Sequence, residues 1–266
     1  MPRFFRALRE KALLEQADFI RVSPFIEEGE ASIRLFRQSG FRQAPLHMLA
    51  ETLWVKDLKG KSEQELLNEM EKKHRNLVRR AEKEGVRVTT TTALEAVDRF
   101  LPLMKETVHR HQFVPYPDDY FRDQLSFFAQ DDEVLMYEGW VEGELVVSAM
   151  VMHFGQVGAY HHGASSSDPK FRRIPVSYLI QWEAIRESRR RGASFYNFWG
   201  IAPFSLNADG KREYVSPKHP FNGITHFKCG FGGRRVDLLP CQDLILTWRY
   251  WFTWLIESFR KWKRGF

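Results

Sequence analysis

Two short passages recur in the same order near opposite ends of this chain, and that echo limits its possible folds more than any other feature. Ala7-Leu-Arg-Glu10 closes a predicted helix and is followed by Asp18-Phe-Ile-Arg-Val22, just as Ala184-Ile-Arg-Glu187 is followed by Ser194-Phe-Tyr-Asn-Phe198. Further on, Phe36-Arg-Gln-Ser-Gly-Phe41 is echoed by Phe227-Lys-Cys-Gly-Phe231. Recurrence in a fixed order points to one architecture used twice. With 266 residues, 43% of them hydrophobic, the chain has apolar material for one large or two modest cores. Three strands are predicted before the second copy's helix, whereas the first copy begins directly at its helix. The first copy therefore reads as cut in half. Its strand Asp18 to Val22 would lack early partners, an exposed edge that further chain normally covers, so upstream sequence is expected to be missing.

Between the copies the elements follow from period and punctuation. Ser62-Glu-Gln-Glu65 is a capping box, and Leu66, Met70, Leu77 and Ala81 continue at helical spacing, predicting one helix that ends at Gly85. Val86 to Thr89 reads as a strand, Ala93 to His111 and Asp118 to Ala129 as helices. Strands follow at Val134 to Trp140, Leu145 to Phe154 and Ala159 to Ser165, the first two joined by a turn at Glu142-Gly143-Glu144. A helix from about Pro175 to Arg191 leads through Gly192 into the strand Ser194 to Trp199.

Charge is segregated along this frame. The net charge is only +6. Yet Lys72 to Arg87 holds seven basic residues against Glu82 and Glu84, Lys170 to Arg191 seven against Glu183 and Glu187, and Trp248 to Phe266 five against Glu257. A solvated helix face accounts for any one such run, whereas three together suit a polyanion, because each phosphate contact releases counterions. In the tail, Trp248, Trp251, Phe252, Leu255, Phe259 and Trp262 recur at helical spacing beside Arg260, Lys261, Lys263 and Arg264. That pattern fits a helix lying in an anionic headgroup layer, and equally a helix docked on the protein's own core.

Other classes drop out. The most apolar stretch, Leu244 to Ile256, is broken by Arg249 and is too short to span a bilayer. No secretory signal follows the basic N-terminus. Cys229 and Cys241 make no disulfide framework, and a reducing cytoplasm is expected. For metal, His109 and His111 are two apart on a helix, and His161 and His162, adjacent on a strand, are expected to face opposite ways; no metal site is expected.

Five segments stand out: the helix Lys72-Lys-His-Arg-Asn-Leu-Val-Arg-Arg-Ala-Glu-Lys83, the strand Phe195-Tyr-Asn-Phe-Trp-Gly-Ile201, Ile20-Arg-Val-Ser-Pro24, Trp54-Val-Lys-Asp-Leu58 and, most specifically, His226-Phe-Lys-Cys-Gly-Phe-Gly-Gly233. They resemble the Fem family, the aminoacyl-tRNA-dependent transferases that build peptidoglycan cross-bridges. The similarity runs from about residue 7 to 246. It implies an α+β fold of tandem GNAT-like domains, with mixed central sheets flanked by helices. The first, incomplete domain would be 1–61 plus about 236–247, the second 62–235, with 248–266 as a C-terminal helix. Family members usually carry more strands before the segment matching Phe4, and part of the acceptor site comes from there.

The implied reaction is attack by a stem-peptide amine on the ester of an aminoacyl-tRNA. The acceptor would be a UDP-linked or lipid-linked peptidoglycan precursor, and no cofactor is required. An activated ester needs no side-chain nucleophile, only alignment and a stabilised oxyanion. By resemblance Lys228 would supply the cation, for the oxyanion or the terminal phosphate, and Phe227 a backbone N–H or a stacking face. A surface lysine before a glycine turn is the plain alternative. Arg172 and Arg173, ahead of the long helix, stand where acetyl-CoA-dependent GNAT enzymes place a glycine-rich loop, which is absent here; two arginines at a helix start still suit a phosphate. Arg110 is expected at the acceptor's phosphates, Tyr178 and Trp199 along the cleft, and Lys72, Lys73, Arg75, Arg79 and Arg80 against the tRNA. The protein is expected to act as a monomer in the cytoplasm, with 248–266 as a possible contact on the inner membrane face. Two further readings remain: an acyltransferase using acyl-CoA, and a non-catalytic RNA- or membrane-binding relative.

Overall fold

The structure, a computed structural model, describes residues 2–208, 212–216, 219 and 221–264; the last two residues of the expected tail lie outside them. In chain order the elements are α1 (Arg3–Leu14), β1 (Phe19–Val22), α2 (Glu30–Gln38), β2 (Phe41–Gln43), β3 (Thr52–Asp57), α3 (Glu63–Asn68), α4 (Lys72–Lys83), β4 (Arg87–Thr91), α5 (Glu95–His111) and α6 (Asp118–Ala129). Then follow β5 (Val134–Val141), β6 (Glu144–Phe154), β7 (Val157–Ser165), α7 (Val176–Arg190), β8 (Phe195–Gly200), β9 (Phe204–Leu206), β10 (Arg212–Tyr214), α8 (Asn222–Cys229), β11 (Arg234–Asp237), β12 (Gln242–Ile245) and α9 (Tyr250–Arg264). A seven-stranded sheet has the order β11-β3-β8-β7-β6-β5-β4, and a three-stranded sheet the order β1-β12-β2. This is the mixed α+β class implied by the resemblance.

The chain forms two compact units, one of residues 1–54, 200–226 and 235–266, the other of 55–199 and 227–234. In the first, β12 runs antiparallel to both β1 and β2, with Phe19 opposite Ile245 and Leu244 opposite Phe41. So β12 covers one edge of the Asp18 to Val22 strand. Phe5 of α1, Phe36 of α2 and Phe41 of β2 form a triangle of rings with centroids 4.9–5.3 Å apart, over Leu239 and Leu244. The echoed Phe36 and Phe41 are thus core residues.

In the second unit, β4 to β7 pair antiparallel in sequence order and β7 pairs parallel with β8. Side chains alternate across this sheet. Val134, Met136 and Met150 lie under α5 and α6, among Phe100, Leu101, Met104, Phe121 and Leu125. The other face takes α7, where Val176 and Ile180 occupy the space a Cβ on Gly139 would need.

One helix expected from Ser62 to Gly85 is two. The capping box forms as expected, Ser62 accepting from the Glu65 N–H while Glu65 accepts from the Ser62 N–H, but α3 stops at Asn68. The break at Glu69 to Glu71 is held from outside the helix. The Glu71 N–H donates to the Gly230 carbonyl, Arg75 donates to the carbonyls of Asn68 and Met70, and the Glu69 carboxylate takes Lys56 and Lys61. Leu66 and Met70 are both buried, so apolar spacing continues through the break and hides it.

Candidate active site

Two of the segments that resemble the Fem family, Phe227 to Gly233 and Lys72 to Lys83, pack on each other within the second unit. Phe227 and Lys228 form the last turn of α8. His74 of α4 faces that turn, its Nε2 3.0 Å from the Phe227 carbonyl oxygen and its ring centroid 5.1 Å from that of Phe231. In that contact Nε2 is the donor, which fixes the tautomer. A Cβ on Gly230 would fall 1.8 Å from the His74 ring, and one on Gly233 2.4 Å from the Val55 carbonyl. Two glycines of the motif are therefore needed for close approach.

Tyr178, in the first turn of α7, closes the cluster, with ring centroids 5.0 Å from His74 and from Phe227. Burial pushes its phenol pKa up, and the nearby Glu71 adds to the rise. Lys228 is 5% exposed. It is a helical, buried lysine, not the surface residue before a turn that was its alternative. Burial disfavours the ammonium and pulls its pKa down to about 7, opposed weakly by Cys229. Cys229 itself is a buried free thiol.

Beside this aromatic box lies a basic surface. On α4, His74, Val78 and Ala81 point inward, while Lys72, Lys73, Arg79 and Arg80 are exposed. Arg80 donates through Nη2 to the Arg173 carbonyl at 3.0 Å, so α4 adjoins the loop that carries the exposed Arg172 and Arg173 into α7. Arg75 differs from its neighbours, because its guanidinium is engaged by the α3 carbonyls.

The other expected site residues lie in different groups. Arg110, at the end of α5, donates to the Ser165 carbonyl, to Ser165 Oγ and Ser167 Oγ at 2.7 Å each, and to Thr107. It fastens the segment after β7. Trp199 lies where β7 and β8 part: their pairing covers only Val157 to Ala159 opposite Phe195 to Asn197, although both strands continue. Trp199 has φ +67°, an uncommon conformation for a bulky residue, and its N–H donates to Asn197 Oδ1 at 2.8 Å. Its ring meets His161 at 5.6 Å.

His161 and His162 do not face opposite ways as expected. A β-bulge opposite Met150/Val151 inserts an extra residue in β7, and the two rings come within 4.2 Å. Burial, then His161, holds the His162 imidazole down at about 3, and its Nε2 lies 3.0 Å from Gln124 Oε1. Among the described residues no group of three or more His, Cys, Asp or Glu side chains could hold a metal ion. A cavity of about 550 Å³ sits elsewhere in this unit, at the C-terminal end of α7. There Arg186, Arg190 and Arg191 are paired with Glu63, Glu183, Glu187 and Asp132.

Sequence reading missed His74 and Lys56. Both carried a signal: His74 shares the inward spacing of Val78 and Ala81, and Lys56 interrupts the apolar strand β3. Lys56 is fully buried and donates to Glu69 Oε2 at 2.7 Å, fixing the start of the α4 region.

A mixed sheet flanked by helices, in which the parallel β7–β8 pair separates after three residues, is the α+β frame expected of a GNAT-like fold. The chain belongs to the FemAB family, whose model matches residues 37–138 and 142–239. Aminoacyltransferase FemB from two strains of Staphylococcus epidermidis is 22% identical over 307 residues, spanning 90% of this chain and 70% of the relative. Among solved structures, the crystal structure of FemX superposes with a TM-score of 0.80 at 19% identity, covering 96% of this chain and 78% of that one. L-PGS from Bacillus licheniformis shares the fold with a TM-score of 0.60 at 13% identity, over 95% of this chain and 76% of that one.

Proposed function

We propose that this protein is an aminoacyltransferase that moves an amino acid from aminoacyl-tRNA to an amine of the peptidoglycan stem peptide, as in cross-bridge formation. The observation that carries this reading is Lys228, a buried lysine in the same helical turn as Phe227, whose ring packs with Tyr178 and Phe231, within a FemAB-family chain. The amine nitrogen attacks the ester carbonyl and a C–N bond forms; the C–O bond to the terminal ribose then breaks, and the proton shed by nitrogen ends on the ribose oxygen. Lys228 in its ammonium form stabilises the oxyanion between those steps. A buried cation does this better than an exposed one, since little water screens it. An anionic substrate at the site favours the charged form and lifts the lysine above its ligand-free value of about 7.

Lys72, Lys73, Arg79 and Arg80 bind the tRNA backbone, with Arg172 and Arg173 extending that surface to the start of α7. Arg75 holds the α3 end behind that surface, and the exposed Arg110 holds the segment after β7. Trp199 lines the gap between β7 and β8. The acceptor is a UDP-linked or lipid-linked precursor, and the enzyme works as a monomer at the inner face of the cell membrane, with the 248–266 tail as its contact. Incubation with a pool of charged tRNA and muramyl-pentapeptide precursor should add the mass of one amino-acid residue to the precursor. No mass gain from folded, full-length protein would falsify the assignment.

A further inference from the structure

The α9 helix is amphipathic in the wrong sense for a helix that simply packs on its own domain. Its inward face carries Tyr250, Thr253, Trp254, Glu257 and Ser258, while Phe252, Leu255, Ile256, Phe259 and Trp262 are exposed, Phe259 by 62% and Trp262 by 77%. A surface helix normally buries its apolar stripe. Here polar groups hold the inward face. Arg21 donates to both Asp243 oxygens at 2.7 and 2.8 Å and to both Glu257 oxygens at 2.8 and 2.7 Å, and the Tyr250 hydroxyl donates to Asp243 at 3.0 Å. Asp243 is fully buried. Rolling the apolar face inward would strip both Arg21–Glu257 hydrogen bonds and the one from the Tyr250 hydroxyl to the buried Asp243, so α9 is held with its stripe outward.

The stripe does not stand alone. Within the same unit, α1 buries Phe5 but exposes Phe4, Leu13 and Leu14. Its end is clamped to the start of α9: the N–H groups of Leu246 and Thr247 both donate to the Asp18 carbonyl at 3.0 Å, and the Thr247 hydroxyl donates to the Asp18 carboxylate. Leu13 and Leu14 therefore precede that clamp by a few residues, and the exposed Trp248 follows it directly. Basic side chains outnumber acidic ones around the Leu13/Leu14 pair and beside the α9 stripe, with Arg3, Arg6, Arg9 and Lys11 exposed on α1 against Glu10, and Arg260, Lys261 and Lys263 exposed on α9.

We propose that α1 and α9 together form one docking surface for the anionic face of a lipid bilayer, with both helices lying in the headgroup plane. A fifteen-residue α9 is too short to cross a bilayer, and no helix among the described residues is long and apolar enough to do so. Aromatic residues, tryptophan above all, favour the water–lipid boundary, and basic side chains extend from there to anionic headgroups. A second copy of the chain is the poorer occupant, since its own strips are flanked by charge of the same sign. The proposal rests on the functional reading in naming the membrane as the place of work, and it adds the second helix and the headgroup charge.

Flotation of the full chain with phosphatidylcholine vesicles, with and without about one-third phosphatidylglycerol, tests it, with tryptophan emission as a second readout. Binding is expected only with the anionic vesicles, weakening as salt rises, with a blue shift of the emission. Phe252→Ser/Leu255→Ser/Phe259→Ser should weaken partition at least about tenfold, and Leu13→Ser/Leu14→Ser about threefold, both variants keeping the wild-type circular dichroism. The proposal is overturned if neither vesicle floats the protein, if the triple variant floats as well as wild type, or if sedimentation shows a dimer that the triple variant dissolves. Transfer to a soluble UDP-linked precursor forms a separate arm. Lost flotation with intact transfer defeats the docking surface alone; intact flotation without transfer defeats the enzymatic reading alone.

Discussion

Helices α4 and α9 both combine basic residues with an apolar stripe, and they turn that stripe opposite ways. Each is rich in basic residues, and each has an apolar stripe at helical spacing. In α4 the stripe of Val78 and Ala81 is buried and Lys72, Lys73, Arg79 and Arg80 look outward. In α9 the stripe looks outward, because Arg21 reaches from β1 to hold Glu257 on the inner side. A hydrophobic pattern defines which residues share a face, while the direction of that face is decided by what the rest of the unit offers it. The α4 surface offers point charges alone and suits a polyelectrolyte; the α9 surface offers apolar depth with a charged rim and suits a layered solvent.

The largest effect should come from the residue that holds the contrast in place. Arg21→Ala leaves the buried Asp243 with the Tyr250 hydroxyl but no cation and should lower the stability of the first unit by about 3–5 kcal/mol, measured by urea unfolding, with increased proteolysis at α9. A loss below about 1 kcal/mol would mean that α9 is held by something else. Next, the same kind of substitution in the two stripes should give unlike results. Val78→Ser should cost about 2–3 kcal/mol, whereas Phe252→Ser should stay within roughly 0.5 kcal/mol of wild type; equal losses would mean that both stripes are buried. Smaller again is the effect of charge on α4. Lys72→Glu/Arg79→Glu should weaken tRNA binding about tenfold and reduce the slope of log affinity against log salt by about 2, leaving vesicle flotation unchanged. Unchanged tRNA affinity would remove α4 from the interface.

Much of the fold was legible because it depends on local period and punctuation. α6 begins and ends at the predicted residues, and β5 to β8 and α7 lie within about two residues of expectation, since alternation and a glycine turn are written in the chain itself. What was not legible depends on distant partners. The α3–α4 break exists because the Gly230 carbonyl takes the Glu71 N–H, and Gly230 lies far along the chain. The bulge that turns His161 toward His162 depends on the register of β6 against β7, which no spacing within β7 reveals.

The candidate site shows the same division. Phe227 and Lys228 stood out by resemblance, but the packing of their turn could not be read from its neighbours in sequence, because His74 and Tyr178 reach it from α4 and α7. Arg75 and Arg110 carried the same charge as Arg79 and Arg80. Only the carbonyl and hydroxyl groups placed around them give them a fastening role in the fold.

The most direct test of the central claim is the mass of the muramyl-pentapeptide precursor after reaction with charged tRNA, followed as kcat/KM from roughly pH 6 to 9. If the Lys228 ammonium stabilises the oxyanion, free enzyme loses the working form as pH rises through about 7, so product carrying one added residue should decline above that pH in wild type. Lys228→Met should cost at least about a hundredfold at every pH, and Lys228→Arg, always charged, should show weak transfer without the decline. Transfer by Lys228→Met at the wild-type rate, or no added mass at any pH, would contradict the account.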